Sequence, residues 1–151
     1  MGKVLARLAG LLIVGIFFGC SGKLPTDLGV ENGRLAQCPD SPNCVSSQAD
    51  PADQQHFIAP FSYSGTKESA VARLLAVLAT EKRVTISKQT ANYVRAEFRS
   101  AWFGFVDDVE FYFPDRPLVE VRSASRLGYS DFGVNRKRIE HLRRLFEQAG
   151  S

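Results

Sequence analysis

Three short stretches decide the fold: Tyr93-Val94-Arg95-Ala96-Glu97-Phe98-Arg99, Val106-Asp107-Asp108-Val109-Glu110-Phe111-Tyr112-Phe113, and Leu118-Val119-Glu120-Val121-Arg122-Ser123-Ala124-Ser125. Each alternates apolar and polar side chains, the period of a strand with one buried face. Val94, Ala96 and Phe98, then Val109, Phe111 and Phe113, then Val119 and Val121 form the inward set. Tyr93, Arg95, Glu97, Arg99, Asp108, Glu110, Tyr112, Glu120 and Arg122 form the outward set. Pro114-Asp115-Arg116-Pro117 is a turn, so the second and third stretches pair antiparallel.

Working outward, residues 83–88 alternate again through Val84 and Ile86, and Thr90-Ala91-Asn92 turns the chain into residue 93. Val71, Leu74, Leu75 and Leu78 recur at helical spacing over residues 67–82. Thr66 is placed to cap that helix, and Glu68 sits near its positive end. Ile139, Leu142, Leu145, Phe146 and Ala149 mark a second helix over 134–149, stopped by Gly150. Residues 57–64 read as a short edge strand, because Pro60 lacks a ladder donor. The expected class is α+β: an antiparallel sheet of four to five strands with two helices on one face, in the order β-α-β-β-β-β-α. Residues 38–56 are turn-rich and without period.

The amino end reads as an address. Lys3 and Arg7 precede an uncharged apolar run from Leu8 to Gly19, and Cys20 follows. A run of about a dozen residues is too short for an ordinary span and fits a signal peptide. Gly19 before Cys20 resembles the lipobox of bacterial lipoproteins. That likeness implies cleavage before Cys20, which then carries diacylglycerol and an N-terminal acyl chain, fatty chains of the palmitate type. Plain secretion and retention as an uncleaved anchor are the competing readings. Ser21 resembles the outer-membrane sorting class, so the expected location is the cell envelope, facing the periplasm, at the outer membrane. Domain limits follow: a signal peptide at 1–19, a lipidated Cys20 with a tether to residue 37, and a folded domain over 38–149.

The whole chain has 19 basic and 16 acidic residues. Two of the cations, Lys3 and Arg7, lie in the leader, so the remainder is nearly neutral. Nothing in that balance favours a nucleic-acid partner. With Cys20 acylated, Cys38 and Cys44 remain as a pair, and an oxidising compartment favours a disulfide between them. Pro39-Asp40-Ser41-Pro42-Asn43 doubles back readily between the two. A zinc site and a reactive thiol pair are the alternatives. Only His56 lies near enough to add a ligand, so no metal and no cofactor is expected.

Cys38-Pro39-Asp40-Ser41-Pro42-Asn43-Cys44-Val45-Ser46-Ser47 resembles the opening motif of the DUF1499 family. Phe98-Arg99-Ser100, with Phe103-Gly104-Phe105-Val106-Asp107-Asp108-Val109-Glu110-Phe111, resembles its central motif. The run from Glu120 to Arg138 resembles its third. The likeness covers about residues 38–148 and implies no particular reaction, since the family has no established activity.

The polar side of the sheet admits two readings: a solvated face laced with opposite charges, or a cleft for a polar or anionic ligand. The second draws on the loop before the last helix, where Ser123, Ser125, Arg126, Tyr129, Asp131, Asn135 and Arg138 gather near a helix amino end. The bland reading of that loop has Asp131 capping the helix and Arg126 paired with an acid. The candidate ligand-binding set is therefore Arg99, Asp107, Asp108, Arg122, Ser125, Arg126, Tyr129, Asn135 and Arg138. Asp107 and Asp108 are neighbours on a strand and point to opposite faces, so they do not readily share a substrate. Trp102, Phe103 and Phe105 either close the core or form an exposed apolar contact. His141 is off its helix's apolar stripe and reads as a surface residue.

No catalytic residue is assigned, and an enzyme is the less favoured reading. The expected function is a membrane-anchored envelope lipoprotein that binds an envelope protein or a polar ligand. The alternative is an envelope hydrolase using Asp107 or Asp108 with Tyr129 or His56.

Overall fold

The computed structural model describes residues 22–150. The expected signal peptide at 1–19, with Cys20 and Ser21, lies outside the described residues. The elements are β1 (Cys44–Ser46), β2 (Phe61–Ser62), α1 (Lys67–Thr80), β3 (Val84–Gln89), β4 (Tyr93–Arg99), β5 (Val106–Tyr112), β6 (Leu118–Ser125) and α2 (Val134–Gln148). The sheet runs β1-β6-β5-β4-β3, with β2 also pairing β6, and every named pair of strands is antiparallel. The α+β class is as expected, with six strands where four or five were counted. The additional strand is β1. All three of its residues are buried, so it has no alternation for a sequence reading to find.

Both helices pack on one face. Val94, Ala96 and Phe98 from β4, Val109 and Phe111 from β5, and Val119 and Val121 from β6 meet Leu74 and Leu78 of α1 and Ile139, Leu142 and Phe146 of α2. Phe61 joins this core through tilted contacts with Phe111 and Phe146 at 6.1 and 5.7 Å between centroids. Burying one such aromatic contributes about 1.5–3 kcal/mol. Thr66 caps α1 by accepting from the Ser69 N–H at 3.2 Å. At the carboxyl end Arg83 takes a left-handed φ of 59° to turn into β3. β3 is the free edge. A register shift between Ile86 and Lys88 disrupts its ladder with β4, a device that discourages edge-to-edge pairing, and Ile86 is 40% exposed.

Across β5, β6 and Tyr93 the opposite face of the sheet is not solvated. Asp108, Glu110, Glu120, Arg122 and Tyr93 are all buried, which corrects the reading of that face as a charged surface in water. The chain from Gly22 to Asn43 contains little regular structure, with one isolated bridge between Glu31 and Arg34. It nevertheless lies across these residues as a strap. The Gly29 N–H donates to Glu110 at 2.7 Å, and buried Leu35 donates its N–H to Gln48 at 2.7 Å. A disulfide joins Cys38 to Cys44, with Cα atoms 5.6 Å apart. It ties the strap to β1 and hence to β6.

Among the described residues no helix is long and apolar enough to cross a membrane.

Candidate functional site

The register builds two separate polar clusters, one on each face. On the strap side, β4 and β5 place Glu97 directly opposite Asp108. Two carboxylates at that spacing repel, and Arg126 resolves the conflict. Its Nε and Nη2 bond both oxygens of Asp108 at 2.7 and 2.8 Å, and Nη2 also bonds Glu97 at 2.7 Å. This fork is the geometry a guanidinium makes best. Asp108 first, and then Glu97, hold the Arg126 pKa above its ordinary value.

Next to it, Glu110 sits opposite Arg122 across β5 and β6. Glu110 is fully buried and accepts three bonds: from the Tyr93 hydroxyl at 2.7 Å, from the Gly29 N–H at 2.7 Å, and from Arg122 Nη1 at 3.2 Å. Burial, followed by donation to Glu110, pushes the Tyr93 phenol pKa far up. Glu120 completes the row, accepting from the Ser47 hydroxyl at 2.6 Å and from Arg116.

Between the strap and this row lies a cleft of about 410 Å³. Pro25, Gln37 and Pro39 form one wall; Arg122, Ala124 and Arg126 form the other. Arg122 is the unusual member. Only 5% of it is exposed, yet its Nε–H has no hydrogen-bond partner among the described residues. A buried donor left unpaired costs about 1–3 kcal/mol, more on a charged group.

The second cluster is on the helix side. Asp107 pairs with Arg138 Nη2 at 2.6 Å. Arg138 also bonds Asn135 at 2.6 Å and the Ser123 hydroxyl at 3.2 Å, and it lies over the Phe98 ring at 4.8 Å. Fully buried Asn135 donates to the Asn43 carbonyl and to the Ser125 hydroxyl, both at 3.0 Å. Every polar member of this cluster named here has a partner, so it staples α2 to β6 and β1. Gly133 occupies the cap position of α2, with a φ of 76°, and has no side chain to offer. Asp131 supplies the capping oxygens from two residues earlier, accepting from Gly133 at 2.9 Å and Asn135 at 2.7 Å.

The nine sequence candidates are thus divided. Asp108, Arg122 and Arg126 line the cleft, and Ser125 borders it. Asp107, Asn135 and Arg138 lie on the far side of the sheet. Arg99 is exposed and bonds the Gly104 carbonyl at 3.3 Å. Tyr129 stands 76% exposed on its loop. The strap residues, Tyr93 and Glu110 were missed as site members. The signal available was Glu110 itself, an acid in the middle of a central strand.

The acid–histidine set of the hydrolase reading is not assembled. Both aspartates are held by guanidiniums on opposite faces, and His56 pairs with Asp53 at 2.6 Å. That contact holds the Asp53 carboxyl below its ordinary range. The other ring nitrogen of His56 meets the Gln55 amide at 3.0 Å and the Ser41 carbonyl at 3.3 Å. Asp53, His56 and Ser46 border a second hollow, separate from the cleft, and Ser46 accepts from the Gln48 N–H at 3.2 Å. His141 is exposed and pairs with Glu81 at 2.9 Å. Among the described residues no group of three or more His, Cys, Asp and Glu side chains could hold a metal ion.

Residues 34–146 match the family described as protein of unknown function (DUF1499). The chain belongs to that family. The matched region begins at Arg34, inside the strap, and ends at Phe146, the last buried residue of α2. It therefore takes in both polar clusters and much of the strap wall of the cleft. No curated protein matches the chain.

Proposed function

We propose that this DUF1499 protein is an exported, lipid-anchored protein of the cell envelope, whose domain binds a small polar or anionic ligand in the cleft between strap and sheet. The anchoring half rests on the cationic start, the short apolar run and the Gly19-Cys20 junction. The binding half rests chiefly on one observation: Arg122 lines a cleft while its buried Nε–H has no partner. A carboxylate or phosphate oxygen entering the cleft would satisfy that donor, and a charge-assisted bond of this kind is roughly twice as strong as a neutral one. Arg126 is fixed as a wall of the cleft, because Asp108 and Glu97 hold its Nε and Nη2.

The test has two parts. Cells fed labelled palmitate should label the wild-type chain and not Cys20→Ser; an unlabelled wild type removes the anchor. Calorimetric titration of the purified protein with inorganic phosphate, and separately with acetate, should give saturable heat that Ala124→Phe abolishes. Ala124 is chosen because it borders the cleft and makes no ion pair. Equal heats from wild type and Ala124→Phe remove the cleft.

A further inference from the structure

One end of the sheet presents large apolar side chains to water. β3 and β5 begin there and β4 and β6 end there, so the β4–β5 and β6–α2 loops emerge side by side. The Arg126 N–H donates to the Val106 carbonyl at 3.0 Å at their base. The first loop carries Trp102, 92% exposed, and Phe103, stacked on Phe105 with centroids 5.6 Å apart. The second carries Leu127, Tyr129 and Phe132, the last 89% exposed. Closure of the core by Trp102, Phe103 and Phe105 is thereby corrected: Phe61, Phe111, Phe113 and Phe146 fill it without them. So many exposed aromatics at one end mark an interaction surface rather than incidental exposure.

The strap says what that surface meets. Gly22 lies against the second loop: a Cβ there would come within 2.8 Å of Arg126 Cβ and 3.0 Å of Leu127 Cγ. Only Ser21 separates Gly22 from Cys20, so the two Cα atoms are at most about 7 Å apart in an extended chain. Acyl chains on Cys20 therefore enter a bilayer next to Leu127. Lys82, Arg83 and Arg99 are exposed at the same end, and Arg83 Nε bonds the Arg99 carbonyl at 3.2 Å. Aromatic rings prefer the headgroup level, and cations beside them are drawn to anionic lipids.

We propose that the β4–β5 and β6–α2 loops are a bilayer-contacting surface, with Trp102, Phe103 and Phe132 in the headgroup region. The domain then rests on the membrane in one fixed orientation instead of swinging on a tether. This rests on the Cys20 anchor of the preceding reading.

Trp102 is the single tryptophan of the chain, so the protein carries its own probe. The lipidated full-length product is reconstituted into phosphatidylethanolamine–phosphatidylglycerol vesicles with brominated acyl chains. Flotation reports anchoring independently of fluorescence. The expected result is flotation, a blue-shifted Trp102 emission, strong bromine quenching and protection from aqueous acrylamide. A second protein carries Trp102→Phe with Asp115→Trp. Asp115 is exposed in the β5–β6 turn at the opposite end of the sheet, and its probe should stay accessible to acrylamide and unquenched by bromine. Flotation with an unquenched, acrylamide-accessible Trp102 overturns the contact surface while leaving the anchor intact. Equal quenching of both probes overturns the fixed orientation. Protection of Trp102 that appears in detergent as protein concentration rises identifies a second copy as the occupant and also overturns it. Failure to float removes the anchor, and the contact surface with it.

Discussion

Replacing Arg126 with Met tests whether the strap-side charges are a buried structure or a surface decoration. Arg126 makes the two bonds to Asp108 and the one to Glu97 described above, and both the Arg126 side chain and Asp108 are almost wholly buried. Its loss leaves two carboxylates facing each other in register, one of them without water. Breaking a buried pair from one side costs about 3–5 kcal/mol, a large part of the roughly 5–15 kcal/mol that holds a domain together. An exposed pair would cost about 0–1 kcal/mol. Urea unfolding at neutral pH, followed by far-UV circular dichroism, reads the difference as a lower midpoint at unchanged slope. A repaired protein carrying Arg126→Met, Asp108→Leu and Glu97→Gln should recover most of the loss, because removing the whole charge set leaves no orphan. A loss under about 1 kcal/mol for the single change, or a repaired protein no better than it, refutes the reasoning.

Tyr93 gives a pH prediction. Its folded pKa is raised from 10.0 by burial and by donation to Glu110, so above pH 10 the unfolded chain releases a proton that the native chain keeps. Stability should be full below that pH and fall as pH rises. Tyr93→Phe should flatten that alkaline limb in urea titrations at several pH values, and an unchanged limb counts against the assignment. Reducing the Cys38–Cys44 bond should cost roughly 2 kcal/mol in the chain-entropy picture, read as a lower urea midpoint with reductant. Alkylation of Cys38 and Cys44 in protein isolated without reductant would show that the bond is not formed. Asp131→Ala should cost about 1 kcal/mol as a lost helix cap, and Asp131→Asn should restore much of it. Equal midpoints for all three proteins would show that α2 does not depend on this cap.

The alternation of β4, β5 and β6 was legible because the helix-side face is apolar enough to set a period of two. Thr66 and the apolar stripes of both helices were legible because their signals are local. The burial of the other face was not. A charged residue in water and a charged residue in a compensated pair read alike in a sequence, and the covering segment is remote: Gly29 and Glu110 are 81 residues apart. β1 was missed because a short strand buried throughout, closed by a disulfide turn, shows no period. The candidate site was half legible. Alternation correctly sends Asp107 and Asp108 to opposite faces, but it cannot say that Arg138 meets one and Arg126 the other. The exposed aromatic loops were left open between core and contact, because a Trp-Phe-Gly-Phe run fits either until the core is seen to be full.

The most direct test of the cleft is the arginine Nε–H region of a nitrogen–proton correlation spectrum of the detergent-solubilised protein, recorded while phosphate, acetate and then a polar extract of the native envelope are added. The Arg122 resonance is assigned by its loss in Arg122→Lys. The account predicts that this resonance shifts saturably with at least one addition and becomes slower to exchange with water, together with the amides of strap residues around Gln37. An Arg122 signal indifferent to every addition, while exposed arginines such as Arg99 respond, contradicts it.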